Sequence, residues 1–235
     1  RESLHYSQQR LELARYADYA IAHSSYARGE LLEWASIDPE RVYAMPYVVP
    51  LETFRPAPRD AELVTRYGLE GRVVLLYVGR MSSHKRIVDM VRAMPAIHAR
   101  YPGAILLLVG DDSIDSYKQT ISEARAEAER LGCAAEVIFT GAVDHSQLDR
   151  FYSSCDIYVT SSLHEGFCIP VIEAMACGVP VVGTHTTALP ETIGPAGLTF
   201  QPKNPADLAA KVVQLLDSRA QDAAATAPVS LDITA

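Results

Sequence analysis

From Arg72 onward, short apolar runs alternate with amphipathic helical patterns. Val73–Val78 is apolar throughout and ends at Gly79. A helical stretch follows from about Lys85, with Ile87, Val91, Met94 and Ile97 on one face. Pro95 inside it predicts a kink or an early end. Ile105–Val109 is a second apolar run, closed by Gly110, and the helix after it carries Ile121, Ala124, Ala128 and Leu131 before stopping at Gly132. The alternation predicts further strands at Val137–Phe139, Ile157–Val159 and Pro180–Val182. Between and after them it predicts helices from Ser146 to Ser154, from Pro170 to Cys177 and from Pro205 to Leu216. Strands apolar on both faces and separated by helices imply a parallel sheet covered on both sides. Right-handed crossovers then make the fold class α/β, a doubly wound, Rossmann-like domain.

The first 45 residues have a different rhythm. A helix at Leu4–Tyr16, a strand at Tyr19–Ala22, a second helix at Ser25–Trp34 and a strand at Val42–Ala44 amount to one and a half α/β units, too little to close a core alone. They are expected to pack as a flap beside the linker or to sit poorly ordered. The proline-rich stretch Pro46 to Pro58 reads as that linker. The expected division is therefore 1–45, linker 46–58, α/β domain 59–218, and a loosely ordered Ala-rich tail 219–235.

Composition narrows the partners. The 235 residues are 49% hydrophobic, enough for a sizeable core, and no apolar run approaches a membrane span. No leader peptide is visible, but the chain opens on Arg1, which suggests a piece of a longer polypeptide. The expected location is cytoplasmic, with peripheral membrane attachment of the parent left open. Net charge is -8 with Lys and Arg scattered, which argues against nucleic acid as partner. Cys133, Cys155, Cys168 and Cys177 lie in apolar stretches without paired spacing, so reduced buried thiols are expected.

Ligands of an open parallel sheet bind at the carboxyl ends of its strands, and three features fall there. In Gly79-Arg80-Met81-Ser82-Ser83-His84-Lys85, the glycine allows close backbone approach, while Arg80 and Lys85 suit phosphate oxygens; two solvated surface cations would give the same pattern. In His164 to Glu173, the loop Gly166–Ile169 feeds a helix with Pro170 in its first turn, so its amides would face a phosphate or sugar hydroxyl. Glu173 lies in an otherwise apolar stretch and needs a polar partner. Its two oxygens match a vicinal diol, although a helix-end Glu favoured by the dipole is the alternative. Gly141-Ala142-Val143-Asp144 is a third loop at this edge, placed to contact a flat base or simply to turn. No histidine set has metal-ligand spacing, and no Ser–His–Asp order or reactive-cysteine context stands out.

Glu165 and Glu173, with seven residues between them, match the E-x7-E motif of retaining glycosyltransferases with the GT-B fold. With Gly166-Phe167, Pro170 and Ala174-Met175-Ala176-Cys177-Gly178-Val179-Pro180-Val181-Val182, the segment resembles the large family usually numbered four. Val78-Gly79-Arg80 with Lys85 is similar to that family's diphosphate-binding segment, and the likeness runs from Ala17 to about Ser218. The family often has a second glycine two residues after Gly110, where this chain has Asp112. The resemblance implies the carboxyl-terminal, donor-binding half of a GT-B enzyme plus the end of its acceptor domain. Its substrate would be a UDP-, GDP- or ADP-sugar, and the acceptor (glycan, lipid or small molecule) is unread. Arg80, Lys85 and Glu165 would be the catalytic residues, Arg80 and Lys85 holding the diphosphate and stabilising the charge on the departing nucleotide, and Glu173 would hold the ribose. Glu165 would lie beside the donor sugar, and Gly166, Phe167, Cys168 and Ile169 would give it backbone contacts. Gly79 would line the site, and Val143 and Asp144 would meet the base. No metal and no cofactor is implied, and such a fragment alone would be inactive. A non-catalytic sugar-nucleotide module, or a GT-B relative with phosphorylase or epimerase chemistry, are the alternatives.

Overall fold

The computed structural model describes residues 16–35 and 37–226. The expected helix at Leu4–Tyr16 lies outside the described residues save for its last one. The larger sheet is built from β3 (Val74–Val78), β4 (Ile105–Val109), β5 (Val137–Gly141), β6 (Ile157–Thr160), β7 (Val181–Thr184) and β8 (Gly197–Phe200). All are parallel, in the order β5-β4-β3-β6-β7-β8. β3 and β4 are buried at every position, as the continuous apolar runs require of strands covered on both faces.

Alternate side chains feed two cores. Leu75, Tyr77, Leu106 and Leu108 pack with α3 (Ile87–Arg100), α4 (Lys118–Arg130) and α8 (Pro205–Thr226). Val74, Leu76, Ile105 and Leu107 pack with α2 (Ala61–Tyr67), α5 (Leu148–Ser153), α6 (Ile169–Ala176) and α7 (Leu189–Ile193). From β3 the sheet grows one way through β4 and β5, and from β6 the other way through β7 and β8. Where the order reverses, β3 and β6 share the shortest ladder of the sheet, Leu75 with Ile157 and Leu76 with Tyr158. Crossover connections diverge there and open a crevice at the strands' carboxyl ends.

Several local expectations change. Pro95 does not end its helix: α3 runs through it to Arg100, because Met90, Val91, Ala93, Met94 and Ile97 are all buried around the site of the lost bond. The same helix starts at Ile87, not near Lys85; Ser83–Lys85 form a 3-10 turn, and Arg86 turns left-handed at φ 52 before α3 begins. The last helix continues to Thr226, so the chain from 219 to 226 is helical, and 227–235 fall outside the described residues. α2, α7 and β8 are additional elements. Asp60 caps α2 by accepting from the Leu63 amide, and left-handed Gly68 ends it.

The amino-terminal part forms a separate two-stranded parallel ribbon, β1 (Ala20–Ala22) with β2 (Val42–Ala44), linked by α1 (Ser25–Ala35). Among the described residues its core is Ala35, Ile37 and Val42 with Ala20, Leu31 and Leu32 packed against it, and Tyr19, Ile21, Trp34 and Tyr43 are exposed. The stretch after β2 has no regular element up to Asp60, where Arg59 pairs with Asp156 at 2.5 Å.

Candidate functional site

The loop after β3 is shaped by close approach. A Cβ on Gly79 would lie 2.8 Å from the Tyr77 hydroxyl, and one on Gly110 would lie 2.1 Å from the Gly79 carbonyl, so two backbones touch where only glycine fits. Tyr77 donates to the Arg80 carbonyl at 2.8 Å, and buried Met81 anchors the next residue, leaving the Arg80 side chain exposed. Arg86, left-handed, forks onto Asp89 with two bonds of 2.8 Å. The Ser161 hydroxyl, after β6, lies 2.9 Å from the Lys85 carbonyl and 2.8 Å from that of Arg86, with one hydrogen to share between them, and the Leu163 amide donates to the His84 carbonyl at 2.8 Å. The two loops flanking the reversal point are thus stitched together.

Across that seam the Lys85 ammonium pairs with Glu165, both side chains nearly buried at 11% and 12% exposure. Lys85 therefore reaches the site as half of an ion pair, with two of its three N–H donors left over. Among the described residues Arg80 has no carboxylate partner. The loop then runs Gly166-Phe167-Cys168 into α6, which begins at Ile169 with Pro170 in its first turn. Cys168 is left-handed at φ 74, an uncommon conformation for a side chain of that kind. The amides of Gly166, Phe167, Cys168 and Ile169 have no hydrogen-bond partner among the described residues. Burial pushes the Cys168 thiol up, away from the thiolate that a nucleophilic cysteine needs. All four cysteines are free thiols, with Cys133, Cys155 and Cys177 buried and Cys168 half-buried.

These groups line a cleft of about 680 Å³. One wall is the carboxyl edge of β3 and β6 with their loops; the other is Ile21, Ala22 and His23 with Ala27 and Leu31 of α1. Of the residues singled out from sequence, Gly79, Arg80, Lys85, Glu165, Gly166, Phe167, Cys168 and Ile169 all line it. Val143, Asp144 and Glu173 do not. Glu173 is 3% exposed and has the polar partners a buried carboxylate needs: Tyr152 donates at 2.7 Å and His145 stands at 3.3 Å. Phe54 packs edge-on to both rings, at 5.8 Å from His145 and 5.9 Å from Tyr152. Val143 sits against the apolar core below, and Asp144 is exposed beside His145. Sequence reasoning missed Tyr152, His145, Ser161 and the groups that hold the cleft loop from behind, since contacts across such separations leave no spacing signal.

Chemically, four open amides, a guanidinium and a lysine suit a ligand with several phosphate oxygens. Among the described residues no group of three His, Cys, Asp or Glu side chains could hold a metal ion. No described helix is long and apolar enough to cross a membrane.

The profile of the family described as glycosyl transferases group 1 matches residues 62–227. The chain belongs to this family. Among relatives, this group 1 glycosyl transferase chain is 33% identical over 208 residues to D-inositol 3-phosphate glycosyltransferase 2 of Catenulispora acidiphila, covering 86% of the chain and 48% of the relative. Among solved structures, it is similar to sucrose-phosphate synthase from Thermosynechococcus elongatus at 28% identity and TM-score 0.79, covering 91% of the chain and 53% of that structure. The fold is also that of Anabaena HepE in complex with UDP and glucose, at TM-score 0.82 and 22% identity, covering 92% of the chain and 58% of that structure. The chain thus spans about half the length of the relatives it matches.

Proposed function

We propose that this chain is the donor-binding half of a retaining glycosyltransferase of the kind usually numbered family four, with Glu165 and Glu173 as its E-x7-E pair. The observation that carries this reading is the run of four unpartnered amides, Gly166 to Ile169, beside Arg80 and Lys85 at the reversal point of the sheet. Such a constellation selects a diphosphate and stabilises negative charge developing on a departing nucleotide. The names of the relatives, D-inositol 3-phosphate glycosyltransferases and mannosyltransferases, support a sugar-nucleotide donor, as do neighbours holding UDP and UDP-glucose.

In this reading Arg80 and the remaining donors of Lys85 hold the diphosphate, and the amides of Gly166–Ile169 bind sugar and phosphate oxygens. Glu165, paired with Lys85, stands beside the donor sugar. Glu173 offers the ribose its Oε1, displacing the 3.3 Å contact of exposed His145 while Tyr152 keeps the other oxygen. Val143 and Asp144 meet the base. Residues 1–45 belong to the acceptor-side domain, 46–58 to the linker and 59–218 to the donor domain, so this chain alone binds donor without transferring its sugar. No divalent cation takes part, the Arg80 and Lys85 charges serving in its place.

A thermal-shift series with UDP, GDP and ADP tests this. At a hundredfold excess over the dissociation constant one of them should stabilise the chain by about 2.7 kcal/mol, with chelator present. A shift that appears only with magnesium or manganese overturns the metal-free reading, and no shift with any of the three overturns the donor site.

A further inference from the structure

The loop carrying the open amides is held in shape from outside. Three successive carbonyls are taken by groups elsewhere in the chain: that of Glu165 by the Ala188 amide at 3.3 Å, that of Gly166 by the Ser24 hydroxyl at 2.5 Å, and that of Phe167 by the Thr192 hydroxyl at 2.6 Å. With the carbonyls of residues 165–167 engaged behind the loop, its amides are the groups left for a ligand. Ala188 and Thr192 stand at the start and within α7, a short helix whose Leu189 and Ile193 are buried in the core.

The same helix grips the opposite wall. The Glu191 carboxylate accepts from the amides of Ser25 at 2.7 Å and Tyr26 at 3.1 Å, the first two of α1. Those N–H groups have no intrahelical acceptor, and the positive end of the helix dipole favours a carboxylate there. The third amide, of Ala27, donates to Ser24 Oγ at 2.9 Å, and that hydroxyl in turn holds Gly166. The start of α1 is therefore capped by α7, and its cap residue is wired into the cleft loop.

We propose that Glu191 and Thr192 are positioning residues that join two events, the seating of α1 across the cleft and the presentation of the Gly166–Ile169 amides to a phosphate-bearing ligand. This rests on the anion-binding reading of the cleft given above. The ligand need not touch either residue. Loss of Glu191 frees the start of α1, and with it the Ser24 bond that restrains Gly166; loss of the Thr192 hydroxyl frees the Phe167 carbonyl to compete for the space where the amides act.

The test uses the full chain, with UDP and GDP as probes in calorimetry and with amide hydrogen exchange read at α1 and at residues 166–169. Thr192→Val and Glu191→Ala should each weaken diphosphate binding between about twofold and tenfold, the range for one net hydrogen bond. Thr192→Ser should restore it, which a purely structural loss of volume would not predict. Glu191→Ala should speed exchange in α1 and in 166–169 together; Glu191→Gln, with one acceptor oxygen kept, should do so less, and it serves if the alanine variant folds poorly. Acceleration confined to α1, with binding unchanged, overturns the proposal. If the unaltered chain binds neither probe, the donor reading falls by itself, and the exchange data still decide: joint acceleration supports the coupling, and separate responses overturn it.

Discussion

Asp60 accepts the Leu63 amide at 3.0 Å and the Arg150 fork at 2.8 and 3.0 Å, and the guanidinium chiefly holds its carboxyl down at about 2, against an ordinary 3.8. A depressed acid stabilises the fold above its unfolded value and loses that contribution as pH falls through its folded one. Asp60→Asn keeps a capping acceptor but loses the charge, so its melting temperature should lie below that of the unaltered chain at neutral pH. The two should converge as pH falls from 3.8 towards about 2, which melting curves across that range would check; a constant gap would mean the ion pair adds nothing. Among single residues, those legible in sequence share one property. Gly79, Arg80, Glu165 and Phe167 sit on loops that directly follow apolar runs, so strand position alone brings them to the cleft. Ser24, Thr192 and Glu191 act over separations of 142, 25 and 166 residues, and nothing local marks them. Glu173 was legible as a carboxylate needing a partner, but not the identity of Tyr152 as that partner.

At the scale of elements, α3 shows where local rules give way. Pro95 removes the amide that would bond to Val91 and crowds that carbonyl, a cost of about 3 kcal/mol in a helix interior. Packing on the sheet, α4 and α8 outweighs it, which a pattern read one helix at a time does not register. Pro95 is exposed, so Pro95→Ala has room, regains the bond and should stabilise by about 2 kcal/mol after the extra freedom of the unfolded chain is subtracted. Calorimetric melting several degrees higher would bear this out, and a lower melting point would mean the proline is matched to its site. The long buried strands were legible because both faces are covered and the runs are unbroken. β8 was not: it is an edge strand starting on Gly197, where a Cβ would come 2.4 Å from the Val181 carbonyl, so glycine occupies a strand position for lack of space. α7 is too short for a helical period, and α8 beyond Ser218 is Ala-rich, a composition that forms helix as readily as loose chain.

Across the whole molecule, the large sheet has its faces covered by helices, whereas the β1–β2 ribbon is apolar and open. Among the described residues each strand pairs only with the other, and Ile21 and Trp34 are 56% and 64% exposed. Bare edges flanked by apolar side chains are templates for pairing between chains. In the tube, this predicts a colloidal weakness rather than a loss of fold: scattering should rise with protein concentration while melting temperature at low concentration stays the same. Ile21→Lys with Trp34→Glu should suppress the rise, and a monodisperse unaltered chain at high concentration would rule the idea out. Precipitants that strengthen apolar burial, sulfate above all, should bring the chain out of solution through this ribbon first.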